Sequence, residues 1–220
     1  QRQMCIRDSH VYVHEAVKDK FVAECRRVIG ERYGETAQAQ KASPHLTRVI
    51  NQRHTQRIAG LLDDARGRGA RVLVGGDVDV GSSFIAPTLL DNIPAEASIM
   101  SEEIFGPVLP VIGWRDLDQV IAAINAQPKP LALYIFGRND ARTRSIIRQT
   151  SSGGVGINHC VLHYAHGNLP FGGVNNSGIG NAHGIYGFKA FSHERAVLKS
   201  GPIMVAKLFF PPYDLSLIHI

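Results

Sequence analysis

The chain has 220 residues, 44% hydrophobic and 20% charged, with a formal charge of +5 at pH 7. No apolar run approaches the roughly 18 residues that a membrane helix needs, and three cysteines without paired spacing argue against a disulfide framework and fit a reducing, cytoplasmic setting. The basic balance raises a polyanion-binding reading, but its densest cluster, Arg66-Gly67-Arg68-Gly69-Ala70-Arg71, falls at an expected helix end, where cations suit the dipole; a solvated face is expected there, and no nucleic-acid partner.

In chain order, residues 10–13 read as a strand, and apolar side chains recur at helical spacing from Glu15 to about Ile29, with Val17, Phe21, Cys25 and Val28 as the inner stripe. A second helix is expected from about Leu46, with Leu46, Val49, Ile50, Ile58, Leu61, Leu62 and Ala65 facing inward and Gly67 and Gly69 ending it. Val72-Leu73-Val74 then reads as a short buried strand, Gly75-Gly76 as a turn, and Phe84 to Leu90 as extended chain around Pro87. From Val108 the pattern is strand (108–113), helix (116–125), strand (132–136), helix (141–149) and strand (154–158). Such alternation predicts an α/β fold with a parallel sheet and helices on both faces, whose ligands sit beyond the carboxyl ends of the strands. Residues 159–187, rich in Gly, His and Asn, read as a long ordered loop, and Phe191 to Leu198 as a further strand.

The two ends have a different origin. One codon choice for Met4 to Ser9 is ATG TGT ATA AGA GAC AG, and its reverse complement encodes Leu215 to Ile220. Inverted ends of this kind resemble a transposon adaptor, so residues 1–9 and 214–220 are expected to be adaptor-derived artefacts and are set aside in reasoning about the fold.

Two motifs carry the functional reading: Ser101-Glu102-Glu103-Ile104-Phe105-Gly106-Pro107-Val108, and Leu169-Pro170-Phe171-Gly172-Gly173-Val174 followed by Asn176-Ser177-Gly178. In this order and at this separation they resemble the aldehyde dehydrogenase superfamily, and from about His10 to Tyr213 the chain is similar to the C-terminal half of its class 3 branch. The resemblance implies an NAD- or NADP-dependent oxidation of an aldehyde, aromatic or long-chain, to a carboxylic acid. A thiolate attacks the aldehyde, hydride passes to the cofactor, and water hydrolyses the thioester. It places the cofactor-binding domain, the catalytic Cys and the general-base Glu before His10, so residues 10–187 would be a partial catalytic domain, inactive by itself, and residues 188–213 an oligomerisation arm and tail that makes a homodimer. Gln3-Met4-Cys5 imitates the family's Gly-Gln-x-Cys, but the adaptor explains the surrounding codons, and no catalytic residue is assigned within the chain.

By resemblance Glu103 binds the nicotinamide ribose, since a carboxylate accepts bonds from two vicinal hydroxyls, and Phe105 lies beside the nicotinamide. Asn158 and Phe171 are expected in the substrate pocket. An acid usually follows that Asn in class 3 members, whereas this chain has His159; His163 matches a His found four positions on. A reading from another class is a non-catalytic His/Cys metal-binding or structural module built on His159, Cys160, His163 and His166. No acid completes that set and Gly167 and Pro170 oppose a regular helix, so no metal is expected.

Overall fold

A computed structural model describes residues 10–199 and 201. The first strand, β1 (Val11–His14), runs straight into α1 (Glu15–Tyr33). The imidazole Nδ1 of His14 caps that helix by accepting from the Ala16 N–H at 3.1 Å, and Gly34, at φ 109°, ends it. The short α2 (Ala37–Ala42) is capped by Thr36. The next helix, α3 (Gln52–Gly67), begins later than its apolar spacing predicts, because the Asn51 side chain accepts from the His54 N–H at 2.9 Å and fixes the start there. Ile50, expected on the inner face, is therefore outside the helix and 81% exposed, whereas Ile58, Leu61, Leu62 and Ala65 are buried as expected.

Strands β2 (Arg71–Val74), β3 (Val78–Asp79), β4 (Phe84–Ile85) and β5 (Thr88–Asp91) follow, then β6 (Val108–Trp114), α4 (Leu117–Ala126), β7 (Ala132–Ile135), α5 (Asp140–Gln149), β8 (Gly154–Ile157) and α6 (Gly184–Ala190). The main sheet has the order β1-β6-β5-β2. Its first three strands are parallel, but β2 joins antiparallel, so the sheet is mixed rather than purely parallel. The reason is the connection: the Gly75-Gly76 turn and the β3–β4 hairpin bring the chain back without a crossover helix. Both glycines have positive φ, and a Cβ on Gly75 would collide with the Pro87 carbonyl.

Alternation along β5 divides the core. Leu90 packs with Ile58, Leu61, Leu62, Ile99, Ile104 and Val108 beneath α3, whereas Leu89 packs with Val13 and Val111 beneath Phe21, Val22, Cys25 and Ile29 of α1. The α1 stripe is thus turned slightly from the predicted one, with Val17 exposed and Cys25 only half-buried. Strands β7 and β8 form a separate parallel pair that shares no ladder with the main sheet among the described residues.

Past α6 the chain departs from expectation. Residues 191–199 form no regular strand and are exposed as far as they are described. An isolated strand leaves its backbone groups unpaired, and among the described residues no ladder partner is present for this segment. The adaptor-like segments, including Cys5, and residues 202–213 of the tail lie outside the described residues.

Candidate cofactor loop and pocket

The loop of Glu103 and Phe105 is built on α3. Ile104 inserts into the core beside Ile58 and is 1% exposed, which turns its neighbour outward: Phe105, at φ 51°, presents a ring 75% open to solvent. Gly106 follows because a Cβ there would lie 2.6 Å from the buried Ile58 Cδ1. Arg57, one residue before Ile58, donates from Nη1 to the Glu103 carbonyl at 2.9 Å and from Nη2 to the Ile104 carbonyl at 2.7 Å. Its guanidinium also stands 3.9 Å from the Glu102 carboxylate. Glu102 is thus the solvent-side neighbour and Glu103 the half-buried acid beside the outward ring. An apolar ring held open next to a carboxylate suits the flat face and vicinal hydroxyls of a nicotinamide riboside.

This loop leads into β6, so it lies at the amino end of the parallel strands rather than beyond their carboxyl ends. Asn158 does obey that rule, standing just past β8. Its polar atoms are already engaged: Oδ1 accepts from the Gly137 N–H at 2.8 Å and Nδ2 donates to the Gly137 carbonyl at 3.0 Å. The side-chain amide thereby imitates one more rung between β7 and β8, while φ 56° turns the main chain away.

Phe171 sits in an aromatic group. His183 stacks on it at 5.3 Å with planes 12° apart, Tyr164 meets it edge-on at 5.0 Å, and His163 lies 5.6 Å away. Backbone bonds with Ala182 hold the strand-like crossing of residue 171. His163 is buried between the Tyr134 and Phe171 rings, and neither of its ring nitrogens has a hydrogen-bond partner among the described residues. Glu103 and Phe105 thus belong to the main sheet, Asn158 and Phe171 to the β7–β8 part. Among the described residues no group of three His, Cys, Asp or Glu side chains is placed to hold a metal ion. The basic cluster is used locally: Arg66 bonds the Gly76 carbonyl, Arg68 pairs with Asp64 and Arg71 with Asp91.

Arg57, Gly137 and Tyr164 were not singled out in the sequence, whereas His183 stands in a segment, His183-Gly184, that resembles the family. Arg57 reaches its partners across 46 and 47 residues, which no local periodicity reveals.

These features define an α/β protein with helices on both faces of a mixed sheet and a loop, tied to α3 by Arg57 and Ile104, that offers an acid and an aromatic ring. The profile described as "Aldehyde dehydrogenase family" matches residues 1–197, and the chain belongs to that family of oxidoreductases. It is 38% identical over 211 residues to the 4,4'-diaponeurosporen-aldehyde dehydrogenase of Staphylococcus aureus, covering 96% of this chain and 45% of that protein. Aldehyde dehydrogenase family 3 member A2 of Mus musculus is 39% identical, with 96% and 42% covered. The dimeric NADP-preferring aldehyde dehydrogenase of Canis lupus familiaris is 40% identical, with 89% and 42% covered. Among solved structures, the substrate-bound state of Staphylococcus aureus AldH superposes with a TM-score of 0.80 at 38% identity, over 90% of this chain and 43% of that one. The chain therefore spans somewhat under half the length of these relatives. No helix among the described residues is long and apolar enough to cross a membrane.

Proposed function

We propose that this chain supplies the cofactor-orienting and pocket-shaping part of an NAD(P)-dependent enzyme that oxidises an aromatic or long-chain aldehyde to a carboxylic acid through a cysteine thioester. The observation that carries this reading is the loop in which buried Ile104 turns Phe105 outward beside Glu103. NAD(P), when bound, supplies the hydride acceptor. Glu103 holds the ribose hydroxyls, Phe105 backs the nicotinamide, and Phe171 with its aromatic neighbours shapes the pocket wall. Asn158 borders that pocket mainly by bracing the β7–β8 end, since both polar atoms of its amide are bonded to Gly137. Residues 191–198, exposed and without a ladder partner among the described residues, serve as the arm that pairs with a second copy, and a cytoplasmic location fits the free thiols of Cys25 and Cys160.

The test is Glu103→Gln in the full-length enzyme. It should slow single-turnover hydride transfer by about 10-fold or more while weakening cofactor binding far less, because orientation governs the reacting complex. A mutant that loses affinity and keeps its rate would remove the orienting role.

A further inference from the structure

Glu103 and Ile104 stand in a loop whose carbonyls belong to no strand ladder, and one side chain answers both of them. Arg57 reaches from α3 with its two terminal nitrogens, 2.9 Å from the Glu103 oxygen and 2.7 Å from the Ile104 oxygen. The planar fork of a guanidinium suits two successive carbonyls, whereas a lysine ammonium is a single point and would serve one well. Immediately beside it, Ile58 receives Ile104 in the core and limits how far Gly106 can approach. Helix α3 therefore fixes the loop before and after Phe105: at the Glu103 and Ile104 carbonyls through Arg57, and at Gly106 through its close approach to Ile58. The backbone from which the Phe105 ring, at positive φ, and the carboxylate two positions before it project is held by those contacts.

We infer that Arg57 is a positioning residue for the cofactor: its fork on two adjacent carbonyls holds the Glu103–Phe105 loop in the geometry that orients the nicotinamide riboside. This rests on the role proposed for Glu103. Arg57 touches no reacting atom and acts only through the backbone. The nearby Glu102 carboxylate, at 3.9 Å, helps keep the guanidinium turned toward the loop.

The experiment uses the full-length enzyme with Arg57→Met, which keeps the apolar stem and removes every donor, and Arg57→Lys, which restores a single cationic donor group without the fork. In cofactor-free protein, amide hydrogen exchange across 103–108 should rise about 10-fold in Arg57→Met, with the exchange of 132–135, in the separate β7–β8 pair, unchanged, as expected for a local opening. Single-turnover hydride transfer should fall by about 10-fold to 100-fold while the cofactor Kd shifts by less than about threefold, the pattern of lost orientation. Arg57→Lys should recover part of both effects. Wild-type loop exchange or a wild-type hydride-transfer rate in Arg57→Met would overturn the inference. Glu103→Gln run in parallel separates the two readings. If it keeps the wild-type rate, the ribose role fails and the cofactor role of Arg57 falls with it. A slow Glu103→Gln beside a fully active Arg57→Met overturns the Arg57 inference alone.

Discussion

Asn158 offers the sharpest separation of a structural from a substrate-contacting role. Its amide makes two bonds to the Gly137 backbone, at 2.8 and 3.0 Å, and its backbone sits at φ 56°. Each bond contributes about 0.5–1.5 kcal/mol, and the exposed position places the pair in the lower half of the sum, about 1–2 kcal/mol. Alanine adds about 1 kcal/mol, because the left-handed region crowds its Cβ and Asn is one of the few residues that tolerates it. Asn158→Ala should thus lower the local opening free energy at the end of β7–β8 by about 2.5 kcal/mol, which is about 60-fold faster exchange of the Gly137 amide. Asn158→Asp keeps the acceptor for that amide and the tolerance of the backbone but sets a carboxylate against the Gly137 carbonyl. Its loss should be about 1 kcal/mol, or about fivefold in exchange. Site-resolved hydrogen exchange on the cofactor-free full-length enzyme reads both. Wild-type protection of Gly137 in the alanine variant, together with a raised KM for aldehyde, would refute the clasp and return Asn158 to the substrate.

Asp91 ties α1 to the main sheet through Lys18 at 2.6 Å and Arg71 at 2.9 Å. Asp91→Asn should destabilise by about 2–3 kcal/mol, read as a lowered denaturation midpoint, because it removes the charge answering a mostly buried Lys18. Burial pushes the Asp91 carboxyl up, but the bonds from Lys18 and Arg71 outweigh it and hold it below its ordinary value. A depressed folded-state value means the contribution is whole above about pH 4 and is lost as pH falls through the folded value, so the wild-type advantage over Asp91→Asn should shrink in acid denaturation. For the arm, light scattering should find the full-length enzyme at least dimeric and a form ending at Gly187 monomeric or aggregated; a well-behaved truncated dimer would remove residues 191–198 from the interface.

Local pattern was enough to read much of this molecule. The switch from helical spacing in α1 and α3 to short apolar runs, then the strand–helix alternation from Val108 to Ile157, specified an α/β fold because each period dictates which face is buried. The motif around Glu103 and Phe105 was equally legible, since Gly106-Pro107 marks a fixed loop in the sequence itself. What the tertiary structure decided depends on distant partners. The antiparallel β2 follows from how a hairpin returns the chain, and the start of α3 from one side chain bonding three residues on. The outward turn of Phe105 needs the cavity that Ile58 offers Ile104, and the Arg57 fork and the Asn158 clasp join residues 21 to 47 apart. Periodicity records only which side of an element meets the core; hydrogen bonds between elements are set by where the packed layers bring their ends, and that exists only once the layers have formed.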